Sequence, residues 1–301
     1  GWHVTSTDAS GMYSLEGFEG MRFVFITTPS GYMTQQGGYY RHYDNGVGKY
    51  DFGVEPMPAG RIGKDGSHSF IQISDTEIFN EPGYTRWRDD LRDYANSEHP
   101  AFIVHTGDIC YDRGLKEHIK IMNTANMNTP VFYMLGNHDL VKGKYGEELF
   151  ESIYGPSWYS FNVGNTHYVV TPMAGGDYSP SYNGDQISRW LKNDLRQLKH
   201  GTPVVVFNHN LTTSNGNFGF GEADRINLNE YNLKAWLYGH WHNHYVQRQG
   251  NTLAIGTSPV SFGGIDHSTS AYRVLNVDGN GNLKSDLRYA YVDARVRIVL
   301  A

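Results

Sequence analysis

VFYMLGNHDL, residues Val131–Leu140, decides how the rest of the chain is read. An apolar run from Val131 to Leu135 stops at Gly136-Asn137-His138-Asp139. A short apolar run bounded by glycine reads as a fully buried strand, and polar residues directly after such a strand sit where open α/β sheets keep their chemistry. Working outward, other runs end in the same way. Phe70–Ile73 is followed by Asp75, Phe102–Val104 by Asp108, Val204–Phe207 by His209, and Trp236–Tyr238 by His240 and His242. A single buried His or Asp is usually a satisfied structural residue. Strand end after strand end carrying carboxylate, amide or imidazole groups points instead to a shared metal site.

The bulk numbers agree with a large globular protein. The chain has 301 residues, 39% of them hydrophobic, enough for one big domain plus a small one. Its net charge is −6 with no long basic run, which argues against nucleic acid or an anionic membrane surface as the main partner. Nor are aromatic and basic residues interleaved along one face, as a nuclease would need. A phosphate ester would have to be attracted by something other than surface lysines, and metal ions would serve. No stretch approaches the roughly 20 apolar residues that span a bilayer. The lone Cys110 excludes an intramolecular disulfide and reads as a small buried hydrophobe.

Residues 1–66 are rich in glycine and aromatics without a helical period, and read as a β-rich N-terminal module or extension of the main sheet. Arg22–Thr27 forms a strand there, and Tyr50, Phe52 and Val54 alternate after the Asn45-Gly46 turn signal. Residues 67–301 read as the catalytic domain, an α/β fold. Trp87, Leu91, Tyr94 and Ala95 mark one helix face and Ile187, Trp190, Leu191, Leu195 and Leu198 another. Trp158–Val163 and Thr166–Thr171 form a hairpin across Gly164-Asn165, and the pattern is β throughout after His244.

With Asp75-Thr76-Glu77, Gly107-Asp108, Gly136-Asn137-His138-Asp139, Asn208-His209 and Gly239-His240-Trp241-His242 on the page in that order, the chain resembles the calcineurin-like metallophosphoesterases. It is most similar to bacterial envelope members that carry a small N-terminal β-module, with partial similarity to the purple acid phosphatases. The resemblance implies a sandwich of two mixed β-sheets flanked by helices, export to the periplasm or cell envelope, and a centre of two metal ions (manganese, iron or zinc). By the same analogy Asp75, Asp108 and His242 hold one metal, and Asp108, Asn137, His209 and His240 the other. A metal-bridging hydroxide would then hydrolyse a phosphate monoester or diester without a covalent intermediate. His138 would face the leaving group, with Asp139 either fixing its tautomer or capping the following segment.

The first motif departs from the family. Where Asp-x-His or Asp-x-Gly is usual, this chain has Glu77, and Tyr111 occupies the position of the purple acid phosphatases' ligand tyrosine. Glu77 as ligand makes a hard oxygen site suited to manganese or iron. Tyr111 as ligand makes an iron phenolate. Loss of both leaves a weakened phosphoesterase fold that binds a phosphorylated glycan or a protein partner. Substrate contacts are expected from the loops Met173–Tyr182, Leu211–Gly221 and Phe262–Ser268, with His267 and Asn137 as candidate phosphate contacts. His244 reads as a solvated loop residue.

Overall fold

Strand runs rich in Val, Ile and Phe are hydrophobic on both sides, so they need cover on both faces. The computed structural model, which describes residues 2–78, 85–214 and 216–290, provides it by stacking two mixed sheets and flanking the pair with helices. Near the N-terminus β1 (Phe23–Phe25) pairs antiparallel with β3 (Tyr40–His42), and β2 (Tyr32–Met33) with β4 (Glu55–Pro56). A five-stranded sheet follows the order β17 (Leu283–Tyr289), β16 (Ala271–Val277), β5 (His68–Ile73), β6 (Phe102–His105), β7 (Val131–Tyr133). The six-stranded sheet runs β14 (Tyr245–Gln249), β15 (Thr252–Gly256), β13 (Leu233–Tyr238), β10 (Val204–Phe207), β9 (Thr166–Val170), β8 (Tyr159–Val163). In each sheet the strands that precede the candidate ligands are parallel.

Aromatic rings fill the space between the sheets. Phe102 stacks on Phe70 at 4.6 Å and meets Phe161 edge-on at 5.1 Å, while Tyr168 stacks on Phe207 at 5.8 Å. Burying each such side chain contributes about 1.5–3 kcal/mol. Helices α1 (Thr85–Glu98), α2 (Tyr111–Ile121) and α4 (Glu148–Tyr154) lay Trp87, Leu91, Leu115 and Phe150 in the apolar layer under the five-stranded sheet, and the short α3 (Thr124–Met127) adds Met127. On the other side α5 (Gly184–Leu195) buries Ile187, Trp190 and Leu191 beside Val206 and Trp236. Its start is fixed by a capping box: the Gln186 amide donates to Asn183 Oδ1 at 3.0 Å and the Asn183 amide to Gln186 Oε1 at 2.9 Å. Among the described residues no helix is long and apolar enough to cross a membrane.

The N-terminal segment lies along the edge strand β8, where Thr28 bridges Phe161 and its carbonyl accepts the Asn162 amide at 2.8 Å. Arg22 binds Glu147 at 3.1 Å and Glu151 at 3.3 Å, and Glu147 in turn accepts from the Ser181 amide at 3.1 Å. The alternation at Tyr50, Phe52 and Val54 does not become a strand. Side chains fix that stretch instead: the Tyr50 hydroxyl donates to the Asp44 carbonyl at 2.9 Å, and Arg41 covers the Phe52 ring. The polar loop Leu211–Gly221 carries a small hairpin of β11 (Thr213–Ser214) and β12 (Asn217–Phe218), with Asn215 outside the described residues.

Candidate metal centre

The loops after β5, β6, β7, β10 and β13 meet at one edge of the sandwich. Each must turn sharply to aim a short side chain back over its strand. The backbone shows the cost: Asp75, Glu77, Asp108, Cys110, Tyr111, His240 and His242 all have φ between 43° and 81°, the left-handed region. Such conformations cost about 1–3 kcal/mol each and gather at functional sites. Packing is equally tight. A Cβ on Gly107 would lie 2.6 Å from His209 Nδ1, and one on Gly136 would strike the backbone nitrogen and carboxylate of Asp108, 3.0 Å from its Cγ. Gly136→Ala is therefore expected to lower metal affinity at least about tenfold and to destabilise the fold by about 1–3 kcal/mol. Metal titration beside a thermal melt checks both.

Two triads result. Ligand atoms of Asp108, His209 and His240 lie within 4.8 Å of one another, as do those of Asp75, Asp108 and His242, so Asp108 belongs to both. His209 Nε2 is 3.0 Å from Asp108 Oδ2 and 3.8 Å from Asp75 Oδ1. His242 Nε2 is 3.4 Å from Asp75 Oδ1 and 3.3 Å from Glu77 Oε1. His209 Nδ1 donates to the Thr106 carbonyl at 2.7 Å, which turns Nε2 toward the carboxylates. Asn137 Oδ1 is buried and has no hydrogen-bond partner among the described residues, and His209 Nε2 is turned onto the Asp108 carboxylate. An unpartnered amide oxygen beside two buried carboxylates and converging imidazoles is what cations would satisfy, so the donor set fits a two-metal centre.

A family model for calcineurin-like phosphoesterases matches residues 68–244. The chain belongs to that family. No curated protein gave a significant sequence match. Solved structures of similar fold include a predicted phosphoesterase from Streptococcus pneumoniae, 12% identical over 74% of this chain and 97% of that one, with a TM-score of 0.35. Yfce, a phosphoesterase from E. coli, is 13% identical over 72% and 98% of the two chains, TM-score 0.37. GAP50, the anchor in the inner membrane complex of Plasmodium, is 15% identical over 73% and 84%, TM-score 0.46.

The electrostatics of this phosphoesterase follow from its buried carboxylates. Burial pulls the His209 imidazole down, but Asp108 beside it more than reverses this and leaves it up at about 9. Hydrogen bonds to Asp75 and then Glu77 push His242 up to about 10. Burial drives Asp108 upward, yet His209 holds it down at about 2. His240 is pulled below its ordinary value by burial and by the neighbouring His209. His209 and His242 would have to give up these protons to hold a cation.

One site residue sits elsewhere than the sequence indicates, and another takes its expected place. Asp139 does not reach the His138 imidazole. Its buried carboxylate accepts the amides of Gly136 at 2.8 Å, Asp108 at 2.9 Å and Cys110 at 2.8 Å, pinning two ligand loops together. The contact with His138 belongs to Asp177, whose Oδ2 lies 2.8 Å from Nδ1. Burial lowers the His138 imidazole, but the hydrogen bond to Asp177 together with the charges of Asp108 and Asp177 more than offsets this, so its pKa is raised. Asp177 is held in place by its own amide, which donates to the Asn137 carbonyl at 3.1 Å. Sequence reasoning passes over it because it stands in a glycine-rich loop far from the motif. The one available signal was that Met173–Tyr182 is a substrate-loop candidate.

Tyr111 opens α2 with its ring 5.3 Å from that of His138 and 41% exposed, whereas Glu77 faces His242. His267 is exposed on the loop Phe262–Ser268. That loop reaches the centre through Ile265, whose amide donates to the His242 carbonyl at 2.8 Å. His244 is half-buried rather than solvated, with Nδ1 accepting from the Ser258 amide at 3.4 Å. Burial, with Arg273 adding to it, depresses its pKa to about 4. Cys110 is buried, and its thiol is pushed far up by that burial and by Asp139.

Proposed function

We propose that the protein is a two-metal hydrolase of phosphate monoesters or diesters, and the observation that carries this is the pair of triads sharing Asp108 beside the unpartnered Asn137 Oδ1. Asp75, Asp108, His242 and Glu77 would hold one cation, and Asp108, Asn137, His209 and His240 the other. When bound, the cations supply an acidified water as nucleophile and positive charge for the phosphoryl oxygens. His138 delivers a proton to the departing oxygen, with its other ring nitrogen fixed by Asp177. The contact of Glu77 with His242 favours Glu77 over Tyr111 as ligand, and its hard oxygen favours manganese or iron over zinc. With a chain charge of −6, the cations are the main attraction for an anionic ester. A bacterial envelope location and a glycan or small-molecule ester as substrate are the parts of this proposal that rest on the resemblance.

The test is metal content of protein purified without added metal, taken with its visible spectrum and its turnover of a chromogenic monoester and diester. Two metals, no colour and turnover support the reading. A purple band lost in Tyr111→Phe moves the first site to the phenolate. No turnover after reconstitution with manganese, iron or zinc leaves a binding protein on a hydrolase fold.

A further inference from the structure

A cavity of about 490 Å³ lies along the β8 edge of the six-stranded sheet, between the N-terminal segment and the β8–β9 hairpin. That volume is within the range of small-molecule sites, about 300–1,000 Å³. His167 lines it and pairs in register with Val204 at the start of β10, whereas the metal-centre residue His209 follows the end of that strand. At about 3.3 Å per residue, the cavity floor is roughly 16 Å from the metal ligands along the sheet. It is a separate place.

Its lining has a definite chemistry. Tyr13, Phe18, Phe52 and Trp158 offer half-buried aromatic surface. The floor is a fixed polar array in which His167 bonds Asn162 Oδ1 through Nδ1 and Asp194 Oδ2 through Nε2, both at 2.8 Å, and Ser160 Oγ donates to Asp194 Oδ1 at 2.7 Å. Glu151 is also on the wall. It is only 4% exposed, and its Oε2 has no hydrogen-bond partner among the described residues. A buried carboxylate oxygen left unpaired is a standing cost that a donor from a ligand would remove.

Charge narrows the ligand. The cavity is faced by the carboxylates of Glu151 and Asp194. Its cation, Arg22, is already engaged by Glu147 and Glu151, so an anion such as a phosphate has no counter-charge to meet. A lipid tail offers no donor to the buried Glu151 Oε2. What suits flat apolar rings above fixed acceptors is a neutral ring compound with an apolar face and a rim of hydroxyl donors. We infer that this cavity is an accessory binding site for a neutral saccharide, with aromatic rings against the sugar face and Glu151 accepting a sugar hydroxyl. An enzyme so equipped would be held on a glycan along this edge while its metal centre works beside it.

The experiment is calorimetric titration of the full-length, metal-chelated protein with neutral glycans: dextran, mannan, xylan and chitooligosaccharides. At least one is expected to bind with Kd below about 1 mM. Phe18→Ala and Glu151→Gln should each weaken that binding roughly tenfold or more, with turnover of the chromogenic ester by metal-loaded Phe18→Ala unchanged. Thermal melts confirm that both variants fold. His209→Ala should bind the glycan like the parent, since the site is separate from the metal centre. The inference is overturned if no glycan in the set binds, if both folded variants bind as the parent does, if His209→Ala abolishes binding, or if choline binds in the cavity more tightly than any glycan. None of these outcomes depends on the phosphoesterase reading being correct.

Discussion

Replacing Asp108 with alanine is expected to cost the protein both cations and to lower ester hydrolysis by more than the roughly 10–100-fold that loss of an outer hydrogen-bond partner costs at a metal site. The reason is geometric. Asp108 is the residue common to the two triads, with Oδ2 facing His209 and Oδ1 accepting the His138 amide at 3.0 Å. Asp75→Ala and His242→Ala each break one triad, so one cation should remain. Metal stoichiometry of the three variants, with Asp108→Asn and a thermal melt as controls for folding, makes the comparison. Two cations retained in folded Asp108→Ala would show that the shared-ligand assignment is wrong.

The second large effect depends on the leaving group. His138→Ala is expected to slow hydrolysis of an alkyl phosphate ester by about 10²–10⁴-fold, the usual contribution of a positioned general acid. A nitrophenyl ester, whose leaving group departs without a proton, should be slowed far less. Asp177 acts through His138. It raises the imidazole's pKa, so Asp177→Asn should lower that pKa and move the alkaline limb of the kcat/KM profile to lower pH, because protonated His138 is then lost earlier as pH rises. Asp177→Glu should restore part of the shift. An equal loss on both esters, with no movement of the limb, would remove His138 from the proton-transfer role.

Much of this was legible because strands buried on both faces advertise themselves. Val131–Tyr133, Val204–Phe207 and Phe102–His105 are runs that only a covered sheet tolerates, and the polar residues following them could only lie at its edge. The helix face Trp87, Leu91 and Ala95 is buried as its spacing implies. Pairings that depend on three dimensions were not legible. Adjacency suggested Asp139 for His138, but a residue next in the chain points elsewhere when backbone amides of the surrounding loops need a buried acceptor, and Asp139 serves three, those of Asp108, Cys110 and Gly136. Asp177 reaches His138 from another loop altogether. Tyr50, Phe52 and Val54 alternate as a strand would, yet their hydroxyl and ring contacts fasten an irregular stretch, so period alone misled.

The link from Arg22 to Glu147 and Glu151 bears on how the gene can be cut. The family match begins at residue 68, which invites an expression fragment starting there. Such a fragment would leave two neighbouring buried carboxylates without their cation. One of them, Glu147, accepts the amide of Ser181, at the far end of the loop that presents Asp177 to His138. Shortening the chain at the apparent boundary would therefore loosen the loop that orients His138, and an exchange of N-terminal segments between related proteins would keep that loop in place only if the arginine travelled with the segment.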